Sequence, residues 1–456
     1  MRVVVTPGGR VAGRARVPGD KSIAHRWLLL AATARGRSRL EGLPPSLDVR
    51  STAGCLAALC PSASPALRRW LTDVGDHPQE ALDRSARLGG AADPGPALEV
   101  EGSGRRGLVE APHELDCGNS GTTMRLLAGV VASRPIRTVL VGDRSLMTRP
   151  MERVATPLRA MGARVTTSGG RPPLVVEGGS LRGIEHRSEV PSAQVKGCVL
   201  LAGLDAEGRT EVAEPIPTRD HTERALAALG APVEVGPGRV AVAPFQHEGF
   251  GGRVPGDVSG AAFLIAAAVV TGGELTVEDV GVNPSRTAFL SVLARMGVSV
   301  PAAPSRTELG EPVGELRVAP AAGLRGVTVG REELPRVIDE VPVLAALAAH
   351  AEGPSRFAGA GELRVKEVDR LAGLAEELRG LGAAADVEGD DLLVGGGGCA
   401  GGTARARGDH RLAMALCVAA LAARGPSTIE GMEAAAVSFP GFVQALIGLG
   451  ARMEGS

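Results

Sequence analysis

The sequence has no tyrosine, only two tryptophans and seven phenylalanines, so aromatic residues make up 2% of its 456 residues. So sparse a set excludes a platform on which nucleic-acid bases stack. An excess of charge is also lacking: 50 Lys and Arg stand against 51 Asp and Glu, a net charge of −1. No global field therefore draws the chain to nucleic acid or to an anionic membrane, and any anion must be met by a local cluster of cations. Long apolar runs are missing as well. The best stretch, Ala261 to Val270, is too short to cross a bilayer. The opening Met1-Arg2-Val3-Val4-Val5-Thr6-Pro7 breaks too soon to read as a signal peptide. Six cysteines show neither a CxxC pair nor zinc-like spacing, so they read as small core residues in a reducing compartment, with the cytoplasm expected.

What is abundant is glycine (64) and proline (32), and both punctuate apolar segments instead of forming a tail. With 44% hydrophobic and 22% charged residues, the composition is that of a folded protein of two or three domains.

The string Arg16-Val17-Pro18-Gly19-Asp20 recurs as Arg253-Val254-Pro255-Gly256-Asp257. Each copy opens into an apolar helix, then a Gly and a short strand, which marks an internal duplication. Smaller units build each copy. A polar turn opens a helix at Lys21-Ser22, Asn119-Ser120-Gly121-Thr122, Ser192-Ala193-Gln194, Asp257-Val258-Ser259, Asp339-Glu340 and Asp409-His410-Arg411. A second, amphipathic helix follows in each unit, and most stop alike, as at Met161-Gly162-Ala163 and Leu449-Gly450-Ala451. Six units grouped three and three imply two like domains: residues 20–253, and residues 1–19 with 254–456. The first unit departs from the pattern, and residues 61–96 read as a surface insertion with a short helix near Pro65 to Leu71.

In the first turn Ser22 is a plausible N-cap, with Lys21 beside it and Arg26 one turn in. A helix amino end carries free N–H groups and partial positive charge, so it favours an anion. One such turn is by default an ordinary capped helix with solvated cations. The recurrence of the device points instead to helix amino ends lining a cleft between the domains.

Eight ordered motifs carry a resemblance. They are Pro18-Gly19-Asp20-Lys21-Ser22 with His25-Arg26; Cys117-Gly118-Asn119-Ser120-Gly121-Thr122-Thr123-Met124-Arg125; and Gly142-Asp143 through Met147-Thr148-Arg149-Pro150-Met151. Ser192-Ala193-Gln194-Val195-Lys196, Thr218-Arg219-Asp220-His221-Thr222-Glu223 and Ile338-Asp339-Glu340 follow, then Arg364 to Arg370 and Asp409 to Ala415. The set runs from about Val17 to Phe442 and resembles the 5-enolpyruvylshikimate-3-phosphate synthases, in particular the bacterial class associated with glyphosate tolerance. Asn283-Pro284-Ser285-Arg286 nearly fits that class but has Ser where Thr is usual. A Lys found in some members before the late Ser/Thr-Phe-Pro motif is replaced here by Val437.

The resemblance implies an α/β fold, an inside-out barrel of two domains, each of three βαβαββ units. It implies transfer of the enolpyruvyl group of phosphoenolpyruvate to the 5-hydroxyl of shikimate 3-phosphate, without metal or organic cofactor. A cytoplasmic monomer that engages neither nucleic acid nor membrane is expected. It places Lys21, Ser22, Arg26, Ser192, Ala193, Gln194, Arg219, Asp339 and Lys366 at shikimate 3-phosphate. It places Lys21, Gly121, Arg149, Gln194, Arg370 and Arg411 at phosphoenolpyruvate. Asp339 matches the family's proton acceptor, Glu367 its proton shuttle at the methylene carbon, and Lys21 completes the catalytic set. Both substrates carry phosphate and carboxylate, so a convergent cluster of Lys and Arg suits them. The sister enzyme acting on UDP-N-acetylglucosamine is expected to have Asn after the early Lys and a loop Cys, whereas Ser22 follows Lys21 here.

Overall fold

The computed structural model describes residues 1–75, 96–321 and 323–455. Among the described residues six small sheets share one plan: a parallel pair extended by antiparallel pairing. In one of them Leu115–Asp116 runs parallel to Arg137–Val141, which pairs antiparallel with Arg171–Glu177, which pairs antiparallel with Arg164–Ser168. Arg171–Glu177 alternates, with Pro172, Leu174 and Val176 buried between more exposed neighbours, as a strand with one covered face must.

The helices opened by the polar turns are of a different kind. They are Lys21–Thr33, Gly121–Val131, Ala193–Gly203, Val258–Val270, Val341–Ala348 and His410–Leu421. In the fourth, every residue from Val258 to Val269 is buried; a helix apolar on all sides belongs at the centre, with sheets outside it. Close approach is part of this packing. A Cβ on Gly129 would stand 2.4 Å from the carbonyl oxygen of Cys198 on the neighbouring helix, so only glycine lets these two backbones meet.

The buried side chains form two cores. One gathers Val3 to Val17 with Val258 to Met453; the other gathers Ile23 to Val254. Strand Arg2–Thr6 is stitched into the first core between Ser427–Glu430 and Arg452–Gly455. The chain passes between the two halves at the repeated Pro-Gly-Asp strings, and these bind each other reciprocally. The Asp20 amide donates to the Pro255 carbonyl at 2.7 Å, and the Asp257 amide donates to the Pro18 carbonyl at 2.8 Å.

Two expectations change. Asp20, not Ser22, caps the first helix: its carboxylate accepts from the Ile23 amide at 2.9 Å, and Ser22 lies inside the helix. Residues 61–96 are not wholly a surface excursion. Helix Ser64–Asp73 lies within them, and Leu67 and Trp70 are buried in the second core; the rest of the expected insertion, 76–95, lies outside the described residues. Among the described residues no helix is long and apolar enough to cross a membrane.

Candidate active site

Asp339 sits at the turn before helix Val341–Ala348. The Arg219 guanidinium reaches its carboxylate from the other half at 3.1 Å. Arg411 donates to its backbone carbonyl at 2.5 Å and lies 3.8 Å from the carboxylate. Burial alone would raise the Asp339 pKa, but Arg411, Arg219, Lys366 and Arg286 outweigh it and hold the carboxyl well below its ordinary range.

Glu367 is the second caged carboxylate. Arg370 contacts it at 2.5 Å, and Arg149 approaches from the opposite half at 3.7 Å. Ser145, also opposite, donates to the Glu367 carbonyl at 3.1 Å. Against burial, Arg370, Arg149 and Lys21 draw the Glu367 pKa down. Arg370 is itself only 1% exposed and is fixed by Asp409 at 2.8 Å, while Asp409 caps helix His410–Leu421. Thus the cap that starts this helix also orients a site cation. His410 is buried, and among the described residues neither ring nitrogen has a hydrogen-bond partner; burial, then Lys21, push its pKa well down, so the ring is neutral.

The facing helix ends supply the rest. Lys21, the first residue of its helix, pairs with Asp48 at 2.9 Å. Arg26 donates to the Ser22 carbonyl and the Thr222 hydroxyl, each at 2.7 Å; burial, with Arg219 nearby, lowers its pKa to about 10. Ser192 caps the helix that Ala193 begins. Gln194 donates to Thr122 at 2.8 Å and accepts from Arg125, which fixes its amide orientation. A Cβ on Gly121 would come within 2.9 Å of Arg125 Nη1 and 3.5 Å of Arg149 Nη1, so this glycine opens the floor beside two guanidiniums. Lys366 is part-buried and lies 3.5 Å from Glu362; burial lowers its pKa.

The family model for EPSP synthase (3-phosphoshikimate 1-carboxyvinyltransferase) matches residues 5–67 and 86–446. The chain belongs to the EPSP synthase family. A relative named 3-phosphoshikimate 1-carboxyvinyltransferase from Halorhodospira halophila is 45% identical, over 99% of this chain and 97% of its own. One of the same name from Gloeobacter violaceus is 46% identical over 97% of each. The solved EPSP synthase from Acinetobacter baumannii superposes with a TM-score of 0.81 at 36% identity, covering 99% of both chains. The enolpyruvyl transferase NikO from Streptomyces tendae, at 22% identity and TM-score 0.72, shares the fold.

Within this family framework, sequence reasoning left some site groups unassigned. Asn119 accepts from Arg149 at 2.6 Å and donates to Asp143 at 2.7 Å, and Arg125 anchors Gln194. Both stand inside a motif already recognised, where their polarity within an apolar helix opening was the available signal. Asp48, the partner of Lys21, lies in no motif and had none.

Proposed function

We propose that this chain joins the enolpyruvyl group of phosphoenolpyruvate to the 5-hydroxyl of shikimate 3-phosphate, releasing phosphate. The observation that carries this reading is the pair of ionised carboxylates, Asp339 and Glu367, each contacted by arginines drawn from both halves. A cluster so rich in cations suits two substrates that each bear phosphate and carboxylate.

In this reading Ser22, Arg26, Ser192, Ala193, Gln194, Arg219 and Lys366 hold shikimate 3-phosphate. Lys21, Gly121, Arg149, Gln194, Arg370 and Arg411 surround phosphoenolpyruvate. The 5-hydroxyl oxygen bonds to the substituted enol carbon and its proton passes to Asp339. Glu367 handles the proton gained and then lost at the methylene carbon, and the bond to phosphate breaks. The cations that keep Asp339 ionised also weaken it as a base; an arriving dianion draws their field onto itself and returns proton affinity to the carboxylate. The monomeric state and a cytoplasmic setting belong to the same proposal, and six free, buried thiols suit a reducing compartment.

Phosphate release is the test, and it must require both substrates. Asp339→Asn keeps the shape but cannot accept the proton, so kcat should fall roughly 10²–10⁴-fold while calorimetry still detects shikimate 3-phosphate binding. Turnover near the parent level in a folded variant removes Asp339 from the base role.

A further inference from the structure

We propose that Arg286 is a positioning residue that aligns Lys21 on one half with Asp339 on the other. This rests on the enolpyruvyl-transfer reading above.

The Arg286 guanidinium is buried where the chain passes between the halves. One arm, Nη1, lies 3.0 Å from the Asp20 carboxylate. The other, Nη2, lies 3.3 Å from the Asp257 carboxylate and donates to the Ser259 hydroxyl at 2.7 Å. Asp20 and Asp257 are the matching positions of the two repeated strings. One guanidinium therefore clamps both copies of the same residue, directly beneath the turns that bind each other reciprocally. Two carboxylates so close to one cation would repel each other without it.

Each arm leads to a reacting group. Asp20 caps helix Lys21–Thr33, so its position sets that of Lys21. The Ser259 hydroxyl donates to Glu340 at 2.5 Å, and Glu340 follows Asp339 directly and begins helix Val341–Ala348. The path from Lys21 to Asp339 thus runs Asp20, Arg286, Ser259, Glu340. His221, beside the Arg219 loop, joins it: Nε2 lies 3.4 Å from Arg286 Nη1 and Nδ1 lies 2.7 Å from Glu311. Because a guanidinium only donates, Nε2 accepts and Nδ1 carries the proton. A planar fork that holds two partners at a fixed angle cannot be reproduced by an ammonium.

The experiment compares wild type, Arg286→Lys, Arg286→Met and Arg286→Met/Asp257→Asn by phosphate release, calorimetric binding of shikimate 3-phosphate and thermal melting. Asparagine still caps a helix, so the double variant removes the repulsion between Asp20 and Asp257 without losing the cap. The expected result is that Arg286→Met melts at lower temperature, that the double variant recovers most of the melting temperature, and that kcat stays at least tenfold below wild type in both. Arg286→Lys should fold, bind shikimate 3-phosphate within about threefold of wild type, and still lose kcat at least tenfold. Recovery of kcat together with melting temperature in the double variant, or kcat within threefold of wild type in Arg286→Lys, overturns the proposal. If Arg286→Met does not fold, Arg286→Lys and the double variant decide. Absence of phosphate release in wild type itself would instead refute the enolpyruvyl-transfer reading.

Discussion

The Arg219 guanidinium and the Asp339 carboxylate stand 3.1 Å apart although they belong to opposite halves of the molecule. The contact makes the ionisation of Asp339 depend on how the halves meet. Removing Arg219 removes one of the cations that hold that carboxyl below its ordinary range, so its pKa must rise. In the free enzyme kcat/KM follows such a group. With Asp339 ionised far below neutrality, wild type should show no acid limb from it near pH 7, and Arg219→Met should bring a limb upward in pH. The limb's position is the readout, since the loss of a substrate contact lowers only its height. A limb that does not move refutes the coupling.

Lys366 makes the complementary prediction on the alkaline side. Burial lowers its pKa from 10.5, and a proposed role in holding an anion needs the charged form. The basic limb of kcat/KM should therefore fall earlier than an ordinary lysine allows. Lys366→Arg, which stays protonated, should push that limb to higher pH. An unchanged limb would assign the alkaline loss to another group.

At Gly121 an added methyl would press on Arg125 and Arg149, both the far ends of flexible side chains. The site should accommodate it, but with less room beside phosphoenolpyruvate. Gly121→Ala is expected to raise the glyphosate inhibition constant by a larger factor than the KM for phosphoenolpyruvate, because the longer ligand meets the methyl first. Steady-state inhibition at saturating shikimate 3-phosphate measures both factors. Equal factors would mean that this position does not discriminate between the ligands.

Replacing all of residues 61–96 by a short Gly/Ser turn should unfold or severely weaken the protein, because Leu67 and Trp70 go with it and both are buried. Trp70→Ala alone should cost about 3–5 kcal/mol, read by denaturant titration. A Trp70→Ala protein as stable as the parent would show that the helix is not part of the core.

Much of this architecture was legible because it is local. Polar turns, glycine stops and apolar helices repeat within short windows, and each helix opening named in the sequence begins a helix in the structure. The cap of the first helix was misread between two competent residues. Ser22 and Asp20 are both good capping types; the choice falls to Asp20 because its amide is fixed to Pro255, a partner from the other copy. The burial of Leu67, Trp70 and Val74 follows a helical spacing that was present in the sequence but was outweighed by the surrounding Arg, Asp and Pro. The Arg286–Asp20 pair bridges positions 266 residues apart, and no local pattern encodes such a meeting.

The stitching of strand Arg2–Thr6 between Ser427–Glu430 and Arg452–Gly455 bears on how the molecule is made. Translation delivers this strand hundreds of residues before either neighbour. At ordinary synthesis rates the interval is on the order of tens of seconds. During that time Val3 and Val5, which end fully buried, have no sheet to join, and an unpaired apolar strand invites mispairing. The core from Ile23 to Val254 is meanwhile complete in the nascent chain and free to collapse. Strand Arg2–Thr6 therefore waits for partners made long after it, while the core encoded between them is already free to form.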